Sequence, residues 1–230
     1  LRSQEAAVLL DLGSGAFSNL REAIDYTALD AILISHMHAD HFLDLIPLRY
    51  ALKYGPLQRE GRIALYMPPG GERVLRDLCS AFTPEGPVDF LDEVFVVNEY
   101  EMQRPMEIND VRLSFTKTIH YIDAYAMRAE SGSAKVVYSS DTAPCDSVIN
   151  LARDCDLFLC ECTLGLGEVD IPRGHVTSAE AGEMARRADV GRLALTHYGS
   201  EYAPGELEDE AEVHFQGPCA VVDDGMELSI

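Results

Sequence analysis

Short apolar, β-branched runs alternate with helix-like stretches along the whole chain, which predicts sheets covered by helices, an α/β fold rather than an all-β or all-α one. Strands are expected at 6–12, 30–35, 62–67, 94–97, 111–118, 124–130, 134–139, 156–161, 192–196, 219–222 and 226–230. Helices fit 17–25, 43–54, 71–81, 145–153, 178–188 and 205–213. From 94 to 139 strands follow one another with "IND" and "ESGSA" as turns, so this part should be antiparallel. The segment "FLDLIPLRYALKY", Phe42 to Tyr54, is apolar around much of its circumference. That fits a buried core helix, which Pro47 should bend or interrupt.

The polar departures from this pattern are concentrated. Three of only seven histidines fall inside six positions of "LISHMHADHFLDL", where His36, His38, Asp40 and His41 make the pattern HxHxDH. Alternation at the end of a strand sends His36 and His38 to one side, and the following turn brings Asp40 and His41 to a neighbouring point. One short loop can thus offer imidazoles and a carboxylate to two adjacent metal ions. A hydrogen-bonded polar loop is the bland alternative, and the scarcity of histidine argues against it. His120 ends "RLSFTKTIH", Asp141 ends "KVVYSSD" and His197 ends "RLALTH", so each follows an expected strand. Taken singly, each reads as an ordinary polar residue at a strand terminus. Strand ends on one edge of a sheet converge, and together with HxHxDH they supply what a two-metal site requires. Nitrogen and carboxylate donors suit zinc, with manganese or iron also compatible.

Composition narrows the partners. At 230 residues the chain is long enough for one well-buried domain, expected to span 1–230. The formal charge of -21 and the presence of only three lysines, Lys53, Lys117 and Lys135, disfavour a long nucleic acid as partner. No apolar run is long enough to span a bilayer, and nothing reads as a signal peptide. The chain opens on Leu1 in a strand-like segment, so natural residues are expected upstream. Six cysteines without a CxxC pair read as reduced, mostly buried thiols of a cytoplasmic protein. "EVHFQGP" at 212–218 has the look of a protease-site tag, yet the strand pattern continues past it and it is read as native.

The motifs "LLDLGSG", "SHMHADH", "TIH", "YSSDT", "GHVTSAEA" and "LTHYGSEY" together resemble the metallo-β-lactamase superfamily over nearly the whole chain. The resemblance implies an αββα sandwich of two mixed β-sheets flanked by helices, with metals at one edge. It implies one ion held by His36, His38 and His120, another by Asp40, His41 and His197, and Asp141 bridging. Asp11 of "LDLGSG" is similar to the family's aspartate that orients a ligand; the alternative is a turn carboxylate. "SDTAPCD", "CECT", "GHVTSAEAGEMA" and "LTHY" are most similar to the ribonuclease Z-like phosphodiesterase branch. There His175 takes the place of a catalytic histidine and Glu161 of an acidic partner, against the alternatives of a surface histidine and a solvent-facing strand-end glutamate. Thr177 and Glu180 read as a capping box, which puts His175 just ahead of a helix N-terminus, where a phosphate is favoured. His214 is read as structural.

The chemistry so implied is hydrolysis of a phosphodiester by a hydroxide shared between two divalent ions, with Asp40 and His175 assisting. Ribonuclease Z grips tRNA through a long arm after the residue matching His120, and about twenty residues separate His120 from Asp141 here. A small substrate such as a 3′,5′-cyclic nucleotide is therefore expected, as in armless bacterial relatives. RNA 3′-end processing, thioester, lactone or β-lactam hydrolysis, and a non-catalytic metal-binding module are the alternatives. A homodimer is implied by resemblance alone.

Overall fold

The computed structural model describes residues 1–57, 59–83, 87–167 and 169–230, with the side chains of 87–89 excepted. The chain divides into two compact units, Leu1–Val111 and Arg112–Ile230. In the first, the order is β1 (Val8–Leu10), α1 (Ala16–Ala23), β2 (Ala31–Leu33), α2 (Ala39–Phe42), α3 (Leu45–Tyr54), β3 (Ile63–Met67), α4 (Gly71–Ser80), α5 (Pro87–Asp92), β4 (Phe95–Glu99) and β5 (Met106–Ile108). Strands β1 to β4 form a sheet in sequence order, and every described pairing is parallel. Helical crossovers between successive strands impose that direction, since a parallel neighbour cannot be reached through a hairpin. All three residues of β2 are buried, as a strand covered on both faces requires. Leu12, Ile32, Ile34, Leu45, Leu48, Leu65, Leu75 and Phe95 make the centre of this unit's core.

The second unit continues with β6 (Val111–Lys117), β7 (Tyr125–Ser131), β8 (Ala134–Tyr138), α6 (Asp146–Ala152), β9 (Leu157–Glu161), α7 (Ser178–Ala188), β10 (Leu193–Thr196), α8 (Pro204–Phe215) and β11 (Cys219–Val221). Its strands lie in the order β11-β10-β9-β8-β7-β6. The pairs β6–β7 and β7–β8 are antiparallel, whereas β8–β9, β9–β10 and β10–β11 are parallel because a helix intervenes each time. Gly132, with φ 59, sits in the two-residue turn of the β7–β8 hairpin, at the expected "ESGSA". Val137, Val148, Phe158, Met184, Leu193, Leu195 and Leu207 centre the second core.

Two sheets flanked by helices are what the pattern predicts, and the second is mixed as expected, while the first is parallel throughout its described pairings. The antiparallel expectation for 94–139 holds for β6 to β8 and fails for β4, which α4 and α5 return parallel to β3. Residues 226–230 form no strand: Met226 and Ile230 are exposed, so the alternation there has no face to bury. Pro47 falls in the first turn of α3, where its missing N–H costs no helical bond, and the helix runs on without interruption. Buried Leu45, Leu48 and Leu52 make α3 a core helix. Helix α8 extends through buried Phe215, which makes "EVHFQ" part of the fold. All six cysteines are free, and no helix among the described residues is long and apolar enough to cross a membrane.

Candidate metal centre

In the first unit the chemistry gathers where β1 and β2 end. Asp11 leaves β1 in the left-handed region, φ 58, with its N–H donating to Leu33 O at 2.8 Å. That bend turns the carboxylate across the end of β2. Oδ1 accepts from Ser35 N at 2.6 Å, and Oδ2 accepts from Ser35 Oγ at 2.7 Å and from His41 Nδ1 at 2.8 Å. Gly13 then passes so close to the HxHxDH loop that a Cβ there would lie 1.6 Å from Asp40 O. Only glycine fits. The loop continues into the one-turn helix α2, with His38 as N-cap and Asp40 and His41 within it.

These bonds orient the rings and their tautomers. His41 Nδ1 is engaged as donor by Asp11, which leaves Nε2 with its lone pair, 3.7 Å from Asp40 Oδ2. Ser35 Oγ gives its hydrogen to Asp11, so it accepts from His36 Nδ1 at 3.0 Å and His36 Nε2 is the acceptor. His36 Nε2 and His38 Nδ1 are 3.1 Å apart, close to the spacing of about 3.3 Å that two nitrogens keep around a tetrahedral zinc. As expected, His36 and His38 share a side. Asp11 bonds Ser35 and His41 across the end of β2 and is not a turn residue that bonds only its own loop.

In the second unit the remaining candidates gather at the ends of β6, β8, β9 and β10. The His120 side chain is fully buried; its Nδ1 donates to Gly174 O at 2.8 Å, leaving Nε2 3.8 Å from Asp141 Oδ2. His197, also left-handed at φ 54, donates from Nδ1 to Thr163 Oγ1 at 2.8 Å, because that hydroxyl gives its own hydrogen to His197 O at 3.1 Å. Asp141 Oδ1 lies 3.7 Å from the same ring. Asp141 thus stands near both the His120 and the His197 rings. Imidazole nitrogens and carboxylate oxygens of this kind could hold a divalent ion.

Glu161, at the end of β9, is buried and makes no approach to solvent. Its Oε1 accepts from Thr142 N and from His175 Nδ1, each at 2.8 Å, and Oε2 accepts from Thr163 N at 3.0 Å. The His175 ring is therefore held through Nδ1. Its Nδ1 is also 3.9 Å from Asp141 Oδ2, and donors of Asp141, His175 and His197 lie within 4.8 Å of one another. The capping box ahead of α7 is present: Thr177 Oγ1 accepts from Glu180 N at 3.3 Å and Glu180 Oε2 accepts from Thr177 N at 3.0 Å. Cys160 and Cys162 flank Glu161 without adding reactivity, since burial, reinforced by the Glu161 charge, pushes the Cys162 thiol up to about 12. His214 lies at the far end of the same unit's helix α8, its Cβ 3.1 Å from where a Cβ on Gly182 would be.

Sequence reasoning missed Ser35, Thr163 and Gly174. Each is a small or hydroxyl residue beside a candidate ligand, and "ISH" and "ECT" carry that signal only once the ligand itself is known.

Residues 7–198 match the family described as a beta-lactamase superfamily domain. The chain belongs to the beta-lactamase superfamily. Within it, the chain is 30% identical over 226 residues to the probable metallo-hydrolase YhfI of Bacillus subtilis, covering 97% of this chain and 88% of that one. The crystal structure of YhfI, a metallo-beta-lactamase fold protein, superposes with a TM-score of 0.87 at 29% identity, covering 98% and 88% of the two chains. The ribonuclease Z of Natronomonas pharaonis is 28% identical over 280 aligned positions that take in 100% of this chain and 90% of its own. Human tRNase Z, short form, shares the fold with a TM-score of 0.74 at 21% identity, covering 100% of this chain and 90% of that one.

Proposed function

We propose that the chain is a dinuclear metal-dependent phosphodiesterase for small substrates such as 3′,5′-cyclic nucleotides. One ion would be held by His36, His38 and His120, the other by Asp40, His41 and His197, with Asp141 shared. Zinc suits this donor set. Bound divalent ions would supply Lewis acidity toward a phosphoryl oxygen and a lowered pKa for water. Asp40 orients the attacking water and accepts its proton. His175, held through its Nδ1–H by the Glu161 carboxylate, acts as an imidazolium and delivers its Nε2 proton to the departing ribose oxygen, which is a poor leaving group as an alkoxide.

The observation that carries this reading is the 2.8 Å bond between buried Glu161 and partly exposed His175, next to Asp141. A thioester or lactone hydrolase has less need of a dedicated acid at that place. The small substrate is supported by the 20 residues between His120 and Asp141, most of them consumed by the β7–β8 hairpin. The charge of -21 further disfavours a long polyanion.

The test is hydrolysis of 3′,5′-cyclic AMP by protein reconstituted with zinc or manganese, with Asp141→Ala as blank. Turnover that vanishes with Asp141→Ala supports the reading. His175→Ala should keep both metals and lose most of its turnover; a metal-free His175→Ala protein would move this histidine into the ligand set. A fully metallated wild type that cleaves RNA 3′ ends, a thioester or a lactone, and no cyclic nucleotide, would overturn the substrate.

A further inference from the structure

The segment between β6 and β7 breaks the usual rule that a loop tip is polar. In "TIHYIDA", Ile119, Tyr121 and Ile122 are 51%, 65% and 38% exposed, while the His120 side chain between them is buried. Three large apolar side chains within four positions, open to water on a chain of charge -21, form a patch that folding does not explain. The nearby charges cancel each other, because Lys117 Nζ bonds Asp123 Oδ1 at 2.5 Å.

Tyr121 is not splayed at random. Its ring centroid lies 5.7 Å from that of His175, at 64°, and 5.1 Å from that of His120. Its edge rests against the backbone of Gly174, where a Cβ would come within 3.1 Å of Tyr121 Cε2 and 2.8 Å of His120 Nδ1. Gly174 thus lets the ring edge approach the segment that delivers His175. The aromatic is seated on the proton donor's own support, with most of its surface still offered outward.

We infer that Tyr121, flanked by Ile119 and Ile122, is the stacking platform for the nucleobase of the substrate, and so sets selectivity for nucleotides over simpler phosphodiesters. The inference rests on the phosphodiesterase reading and extends it to the part of the substrate remote from the phosphorus. Every base has a π-face, so a tyrosine platform binds purines and pyrimidines with modest preference, and stacking of this kind corresponds to roughly tenfold in affinity or more. A binding contact remote from the reacting atoms, equal in ground and transition states, shows in KM rather than kcat.

The experiment compares 3′,5′-cyclic AMP with its base-free counterpart, a methyl riboside 3′,5′-cyclic phosphate, on the metallated wild type, Tyr121→Ala and Tyr121→Phe. In Tyr121→Ala, KM for cyclic AMP should rise about tenfold, and the ratio of kcat/KM for cyclic AMP over the base-free compound should fall about tenfold. Tyr121→Phe should restore both. Metal content and melting temperature verify that Tyr121→Ala is folded, as an exposed position predicts. A wild type that turns over cyclic AMP, with the ratio unmoved in Tyr121→Ala, would overturn the platform and leave the phosphodiesterase reading standing. A wild type that hydrolyses neither cyclic phosphate would overturn that reading and the platform's ligand with it.

Discussion

Replacing Glu161 by Gln tests the proton path with the smallest change in shape. The carboxylate takes three N–H groups, two on Oε1 and one on Oε2. An amide has one acceptor oxygen, so its NH2 must face a donor in either orientation. The less costly orientation keeps Thr142 N and His175 Nδ1 on the oxygen and sets the NH2 against Thr163 N. One buried N–H then lacks an acceptor, which costs about 1–3 kcal/mol. For a chain of this size that lowers the melting temperature by roughly 2–10 °C. The larger effect is on catalysis, because His175 loses a charged acceptor that holds its tautomer and stabilises its protonated form. A charge-assisted bond of about 1.5–3 kcal/mol corresponds to a kcat lower by roughly 10- to 100-fold. The assay is kcat on cyclic AMP at full metal occupancy, in Glu161→Gln, His175→Ala and the double variant. Because both residues act through one proton, the double variant should be no slower than His175→Ala. A kcat within about twofold of wild type in metal-replete Glu161→Gln would refute the argument.

Three further outcomes follow from geometry. Gly13→Ala should unseat the Asp40 backbone and lower metal affinity, whereas Gly205→Ala, in the first turn of α8 with no atom within 4 Å of the new Cβ, should stabilise by up to about 1 kcal/mol; metal titration and urea melts separate the two. Burial pushes the Cys79 and Cys155 thiols up to about 11 and those of Cys162 and Cys219 up to about 12, so the unfolded chain gives up these protons first as pH rises. Their contribution is whole below pH 9 and shrinks above it, so the urea midpoint should be lower at pH 10.5 than at pH 8; equal midpoints would show the thiols open to water. Arg49→Ala should cost about 3 kcal/mol by urea titration, because the buried guanidinium stacks 4.0 Å over the Phe90 ring, bonds Phe90 O at 2.7 Å and pairs with Glu93. A loss below about 0.5 kcal/mol would show that burial here is incidental.

The parts of the fold legible in sequence are those fixed by local rules. Helix α7 was bounded by its capping box and by the exhaustion of apolar periodicity, and it runs over the residues expected, Ser178–Ala188. Strand direction was not legible. Nothing in "VFVVNE" distinguishes a strand that follows a hairpin from one returned by a crossover, so the pattern alone gives β4 the wrong sense. The alternation in 226–230 is also real in sequence, but alternation is a necessary condition for a strand and pairing is the sufficient one. At the candidate centre, histidine and aspartate stood out because they are scarce and end strands. Thr163 did not, since a threonine beside a strand end is common, and its meaning comes from His197, 34 positions away. The burial of Glu161 and the bond of Asp11 to His41 are matters of packing and partners, neither of which composition reports.

One device recurs at three of the points where a candidate side chain is delivered. Asp11 directly follows β1, Ser140 lies two residues after β8 and just before Asp141, and His197 directly follows β10; all three are left-handed, with φ of 58, 53 and 54. A strand that simply continued would point its next side chain along the pleat, above or below the sheet. A single left-handed residue folds the chain over the strand's end instead, and the side chain at or after it then reaches across neighbouring strand ends. Such a conformation costs of order 1 kcal/mol or more in a residue other than glycine, so it persists only where other bonds hold it. Those bonds are present in each case: Asp11 N to Leu33 O, Ser139 Oγ to Ser140 O at 2.6 Å, and Thr163 Oγ1 to His197 O. The holding groups are also members of the centre or touch it. Ser139 Oγ accepts from Glu161 N at 2.9 Å, and Thr163 bonds both Glu161 and His197. Strain and its restraint are therefore built from the same few residues. That is why the chemistry sits at strand ends, and why a hydroxyl in "SSD" or "ECT" matters to it although neither hydroxyl would touch a metal or a substrate.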